Sequence, residues 1–173
     1  MTSETSASKT RRPRIDIPRT GIDTVLEVAC TVALIALWGY TILNYSSLPP
    51  TIPIHFDLSG RVDGTGARGV VWLLPMIASI IYVLLGLASR IPHTFNYLRP
   101  ITPENALHQY TLAVRMMRTL KLGIALLMLV VQAMTVLTAQ ERIAEPPFWI
   151  IGAAVALVLL PVGFYVVRSL RTR

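Results

Sequence analysis

Four stretches of this chain carry no Asp, Glu, Lys or Arg: residues 28–56, 69–89, 122–140 and 146–167, which are 29, 21, 19 and 22 residues long. About 20 apolar residues in helical conformation cross the hydrocarbon core of a bilayer, and a crossing segment must satisfy its backbone internally, as a helix does. Runs of this length predict an all-α integral membrane bundle of four transmembrane helices, with spans at about residues 23–45, 69–89, 122–139 and 147–167. Composition agrees, since 53% of the residues are apolar and 14% charged, against about a quarter charged in a soluble domain. A soluble enzyme, an unfolded chain and a disulfide-stapled module are disfavoured together, the last because the single cysteine, Cys30, sits inside an apolar run.

The net charge of +7 would raise nucleic-acid binding in a soluble protein. With four spans it has another source. Lys9, Arg11, Arg12, Arg14 and Arg19 precede the first span, Arg90, Arg99, Arg115, Arg118 and Lys121 fall between the second and third, and Arg168, Arg171 and Arg173 follow the fourth. These 13 of the 16 basic residues share one side of the membrane, leaving Arg61, Arg68 and Arg142 on the other. Cytoplasmic loops are the ones that collect Lys and Arg, so both termini are expected in the cytoplasm of a multi-pass cell-membrane protein. Counting acids, that side nets +8 and the other −1, and the expected partners are the bilayer and its anionic inner-leaflet lipid, not nucleic acid.

Residues 1–21 are rich in Ser, Thr, Arg and Pro and read as a disordered basic cytoplasmic tail, ahead of a four-helix membrane domain over residues 22–173. Glu27 lies one helical turn from Asp23 near the end of the first span and reads as a boundary charge reaching the interface. Pro75 and Pro161 predict kinks in the second and fourth spans. Gln132, near the middle of the third, is expected to face the bundle interior, where an amide finds a partner. Gly152 and Ala156 make a small-residue face on the fourth span, fit for an internal helix contact or for a second chain.

The connection after the first span, LPPTIPIHFDLSGRVDGTGAR from Leu48 to Arg68, is unlike a minimal hairpin loop. Its prolines keep the chain extended, and Ser59, Gly60, Asp63, Gly64 and Gly66 are turn chemistry, glycine supplying positive φ. Ile52, Ile54 and Phe56 alternate with Pro53, His55 and Asp57, which in an extended segment sends the apolar set to one face and His55 with Asp57 to the other. Asp63 can return to them across the Gly60 turn. Three readings stand open for His55, Asp57 and Asp63: ligands to a divalent metal, a general acid/base pair, or hydrogen bonds that hold a compact loop, with Asp63 capping its own turn. The loop reading is preferred, with no metal and no cofactor assigned. No nucleophile stands beside a base at fixed spacing and no glycine loop for phosphate is present, so no catalytic residue is assigned and the chain is not expected to be an enzyme.

The connection before the third span, Arg90 to Lys121, divides in two. IPHTFNYLRP is irregular and aromatic. Thr102, Pro103 and Glu104 then read as an N-cap, a first-turn proline and an acidic first turn, so a helix is expected from Pro103. Leu107, Tyr110, Val114 and Met117 recur at helical spacing, with Glu104, His108, Arg115 and Arg118 opposite. The prediction is a cytoplasmic basic amphipathic helix, carrying Arg115, Arg118 and Lys121, that lies on anionic lipid or docks a partner.

The two connections together resemble a bacterial membrane family of unknown function whose domain forms the N-terminal part of SdpI-type bacteriocin-immunity proteins. An LP..IP.HF...G..D segment follows the first span there, and FNYLRPITPENALHQYTLAVRMMRTLK, Phe95 to Lys121, is similar to the stretch after the second. The resemblance covers roughly residues 25–140 and puts Pro53, His55, Phe56, Gly60 and Asp63 at signature positions. It implies a multi-pass protein of the bacterial cytoplasmic membrane. SdpI-type members protect against a secreted peptide toxin and pass its presence to a cytoplasmic regulator, and full immunity proteins carry further spans after the shared domain. The expected role is therefore binding, signalling or immunity through the loop Pro53, His55, Phe56, Asp57, Gly60 and Asp63, with a peptide or a partner membrane protein as ligand. The alternatives are metal-dependent or transport activity centred on the same loop, and a structural partner subunit.

Overall fold

The computed structural model describes residues 12–171 apart from 58 and 145. In chain order the elements are α1 (Gly21–Tyr45), the strands β1 (Thr51–Phe56) and β2 (Val62–Ala67), a 3-10 segment Arg68–Trp72 running into α2 (Leu73–Ala88), a short 3-10 turn Pro92–Thr94, then α3 (Ala106–Ala139) and α4 (Phe148–Arg171). Among the described residues, four helices are long and apolar enough to cross a membrane. Their outward faces are apolar as well: Val25, Val32, Ile35 and Leu43 on α1, Ile80 and Leu84 on α2, and Leu159 and Leu160 on α4 are all exposed. Faces of this kind suit lipid and not water, and the chain is a multi-pass membrane protein.

Helix α3 is the hub, packed against α1, α4 and α2. Its 34 residues measure about 50 Å at 1.5 Å per residue, well beyond the roughly 30 Å of hydrocarbon. The surplus falls in the segment expected to form a basic amphipathic helix that enters the third span directly or through a bend. That segment, to Lys121, is about the first half of α3, continuous with the span, and it starts at Ala106. Thr102 and Asn105 bond each other across a turn, Thr102 N–H donating to Asn105 Oδ1 at 3.0 Å, and Pro103 and Glu104 lie in that turn ahead of the helix. Tyr110 and Val114 of the expected apolar face are buried, but so are Arg118 and Lys121, so this segment is not the two-sided helix that the spacing predicts.

Two core clusters hold the body. Cys30, Ala33 and Ala125 pack with Tyr82, Leu122 and Leu126; Leu48, Ile52, Val71 and Val136 pack with Tyr40, Tyr45, Trp72 and Ala139 at the other end. Gln132 is fully buried between the two and donates to Thr41 Oγ1 at 2.9 Å and to the Val71 carbonyl at 3.2 Å. Pro75 falls in the first turn of α2, just after the 3-10 segment, where a missing N–H has no intrahelical partner to lose; the kink expected in the outer part of the second span is not needed there. The close approach of α3 and α4 is at Gly123, where an added Cβ would stand 3.3 Å from the Leu157 carbonyl oxygen and from Val158 Cα. Gly152 and Ala156 are exposed instead, so they do not make an internal helix contact.

Of the expected N-terminal tail, residues 1–11, with Lys9 and Arg11, lie outside the described residues. Residues 12–20 have no helix or strand but are docked: Arg12 donates to the carbonyls of His93 and Phe95 and lies over the Tyr97 ring, and Tyr110 Oη donates to the Pro13 carbonyl. Burial among these groups pushes the Tyr97 phenol up from its ordinary value.

Candidate functional site

The all-α expectation fails at one place. Leu48 to Arg68, read as an extended segment and a turn within a compact loop, forms an antiparallel two-stranded hairpin in which Thr51 pairs with Ala67, Ile52 with Gly66, Pro53 with Thr65, His55 with Gly64 and Phe56 with Val62. Two register irregularities, on either side of His55, break the strict alternation that the sequence predicts. Ile52 and Pro53 are buried, whereas Ile54 is about half exposed. Ile54 crosses the sheet and lies over β2, where a Cβ on Gly66 would come within 3.1 Å of its side chain and one on Gly64 within 3.0 Å of the His55 Cβ. These two glycines thus provide room. Gly60 is the one glycine among the described residues with positive φ, at 88°, and supplies the left-handed turn.

Asp57 builds that turn. Its Oδ1 accepts from the Ser59 N–H at 2.8 Å, the Ser59 hydroxyl at 2.6 Å and the Arg61 N–H at 2.9 Å, while its own N–H donates to the Arg61 carbonyl. This is an Asx turn. The Ser59 hydroxyl and the Arg61 and Ser59 amides hold the carboxyl below its ordinary value. Asp63 does not cap its own turn; its Oδ1 meets His55 Nδ1 across the hairpin. The structure therefore brings together two of the three proposed metal or acid/base residues and assigns the third to backbone. Among the described residues no group of three or more His, Cys, Asp or Glu is placed to hold a metal.

The hairpin is seated firmly. Ile52 sits in the core with Val71 and Val136, Arg68 N–H donates to the Pro50 carbonyl at 2.9 Å, and the Arg68 guanidinium lies over the Tyr45 ring at 4.8 Å. At the tip, Gly60 touches the α3–α4 connection so closely that a Cβ would stand 2.5 Å from the Pro146 carbonyl oxygen. Against this fixed base the polar pair faces out, with side chains 71% exposed for His55 and 46% for Asp63.

A second constellation, which the sequence reading missed, lies at the far end of α3. Asp23 accepts from the Thr20 N–H and hydroxyl and faces Arg118 Nη1 at 2.7 Å and Arg115 Nε at 3.2 Å. Arg115 also donates to Thr20 Oγ1. Glu27 accepts from Arg118 Nε at 3.2 Å and Lys121 Nζ at 2.6 Å, and Lys121 stands 4.3 Å above the Tyr82 ring, whose hydroxyl bonds Thr31. Glu27 is thus an internal partner, not a boundary charge turned to the interface. The signal was present: Asp23 and Glu27 are four apart, and Arg115, Arg118 and Lys121 recur every three, so each set shares a helix face.

A helical membrane body with a hairpin fixed at one end and a ion-paired α1–α3 interface at the other defines the structural class. Residues 32–79, from the middle of α1 through the hairpin into α2, match a family model described as Domain of unknown function (DUF1648). An uncharacterized protein of Archaeoglobus fulgidus is 35% identical over 63 residues, which are 36% of this chain and 34% of that protein. The match thus spans about a third of the relative's length. No solved structure matches the chain.

Proposed function

We propose that this is a non-enzymatic protein of the bacterial cytoplasmic membrane that recognises a ligand at its hairpin, in the binding, signalling or immunity role that the SdpI-type resemblance implies. The observation that carries the reading is the contrast within the hairpin: Ile52 and Gly60 anchor it to the body while His55 and Asp63 stand exposed on it. A recognition element needs such preorganisation, because ordering a loose loop on binding costs affinity. The ligand is a peptide or an envelope component met outside the cell, since the excess of Lys and Arg at the opposite end favours cytoplasmic termini. Helix α3 offers a connection inward: Val136 packs with Ile52 under the hairpin, and Arg115, Arg118 and Lys121 lie at the other end of the same rod. The exposed Gly152 and Ala156 on α4 support a second reading, a subunit that packs against a partner helix.

The test is protection. Cells producing the wild-type chain are challenged with secreted peptide toxins and compared with cells producing His55→Ala or Asp63→Asn at equal membrane levels. The reading expects wild-type cells to survive and both variants to lose protection. Protection retained in both variants removes the hairpin pair from the function, and its absence in wild-type cells removes the immunity role.

A further inference from the structure

At the end of the bundle away from the hairpin, α1 and α4 leave a groove of about 470 Å³ over the face of α3. This is within the roughly 300–1,000 Å³ of small-molecule sites. Its walls are mostly apolar, including Leu26, Leu157, Leu160 and Phe164, and the guanidinium side chains of Arg115 and Arg168 line it too. The arginines mark one end: Arg115 is bound to Asp23 in the first turn of α1, and Arg168 belongs to the last turn of α4. The mouth opens sideways, toward whatever surrounds the helices, because Leu160 and Phe164 are 69% and 64% exposed.

Charge identifies the occupant. In the cluster behind the groove, two carboxylates, Asp23 and Glu27, serve three cations, Arg115, Arg118 and Lys121. The groove wall also carries Arg168, set over the Phe164 ring. An excess of positive charge beside a low-dielectric surface favours an anion, and guanidinium groups match phosphate oxygens in geometry. An apolar trough with cations at one end fits a molecule with an anionic head and a hydrocarbon tail.

We infer that this groove binds one anionic phospholipid, its phosphate held by Arg115 and Arg168 and an acyl chain laid along Leu26, Leu157, Leu160 and Phe164. The site does not depend on ligand recognition at the hairpin, and a hairpin variant such as His55→Ala leaves it intact.

The full chain in mild detergent is titrated with dioleoylphosphatidylglycerol and, separately, dioleoylphosphatidylcholine, and bound lipid is counted by native mass spectrometry. One phosphatidylglycerol per chain is expected at about tenfold lower concentration than phosphatidylcholine, whose phosphate charge is offset by its own choline cation. Arg168→Gln removes that preference with the Asp23 pairs untouched. Leu160→Trp, on the exposed lip, keeps every charge and lowers occupancy by both lipids, which tests the groove even if Arg168→Gln does not fold. Equal affinity of the wild-type chain for the two lipids overturns the proposal, as does undiminished phosphatidylglycerol binding in Leu160→Trp. So does a lipid-free dimer that buries Leu160 and Phe164, which assigns the groove to a second copy.

Discussion

Arg118 of α3 reaches Asp23 of α1 with Nη1 2.7 Å from Oδ1, and both side chains are almost wholly buried, at 9% and 2% exposure. Neither charge has water to fall back on. Asp23 fills its other oxygen with the Thr20 amide and hydroxyl, and Arg118 extends Nε to Glu27. The pair therefore fixes the rotation and height of α1 on the central helix.

Breaking such a pair from one side leaves an uncompensated buried charge, which costs about 3–5 kcal/mol. Asp23→Ala and Arg118→Ala are each expected to lose about that much in reversible unfolding from mixed micelles. The double variant loses less than the sum, since neither charge is then stranded. Strict additivity, or single losses under about 1 kcal/mol as at exposed pairs, would mean that the carboxylate is solvated in the membrane.

Gly60 predicts a positional effect. Its φ of 88° and a would-be Cβ 2.5 Å from the Pro146 carbonyl oxygen leave no accommodation for a side chain. Left-handed backbone alone costs a non-glycine residue of order 1–3 kcal/mol. Gly60→Ala is expected to lower stability by at least that amount and to detach the hairpin tip from the α3–α4 connection, read as faster amide exchange at Ser59 and Arg61. Gly69→Ala, with nothing within 4 Å of the added carbon, is the control and keeps wild-type exchange. Equal behaviour of the two variants would show that the tip is not seated on Pro146.

The Asp57 turn should respond to acid with a definite sign. Its carboxyl is held below the ordinary 3.8 by the hydroxyl and amides it accepts from. A depressed folded value means that the ionised form stabilises the turn fully above the unfolded value, and that this contribution is lost as pH falls through the folded one. The Ser59 and Arg61 amide resonances are expected to shift together with a midpoint below 3.8, while Asp57→Asn abolishes the step. A midpoint at or above 3.8 in the wild-type chain contradicts the hydrogen-bonded geometry.

How much of this was legible in the sequence depended on whether the information was local. The four spans were, because an uncharged run of about 20 residues has one solution in a bilayer. Gln132 was too, since an amide at that depth has to find a partner, and Thr41 and Val71 are the ones it found. The hairpin was half legible: TIPIHF reads as extended, but its mate, VDGTGA, has little β-propensity, and its glycines were read for turns when two of them make room for Ile54 and His55. The ion cluster was the least accessible. Each charged set shows its own face in sequence, but which helix faces which is decided by α3 lying against α1, a long-range fact that no local spacing contains.

The orientation inferred from charge gives the last prediction. Ser59 lies at the hairpin tip and Thr94 in the 3-10 turn at the other end of the bundle, and both are exposed. Cys30, the only cysteine, is fully buried and becomes Ser in the test background. Cytoplasmic loops retain Lys and Arg during insertion, and Arg12, Arg90, Arg99 and Arg115 all belong with Thr94, whereas the hairpin end has Arg61, Arg68 and Arg142. An impermeant thiol reagent applied to whole cells is therefore expected to label Ser59→Cys and not Thr94→Cys, with both labelled once the membrane is opened. The reverse pattern would put the hairpin in the cytoplasm, where a secreted peptide does not reach it, and would end the recognition reading together with the orientation.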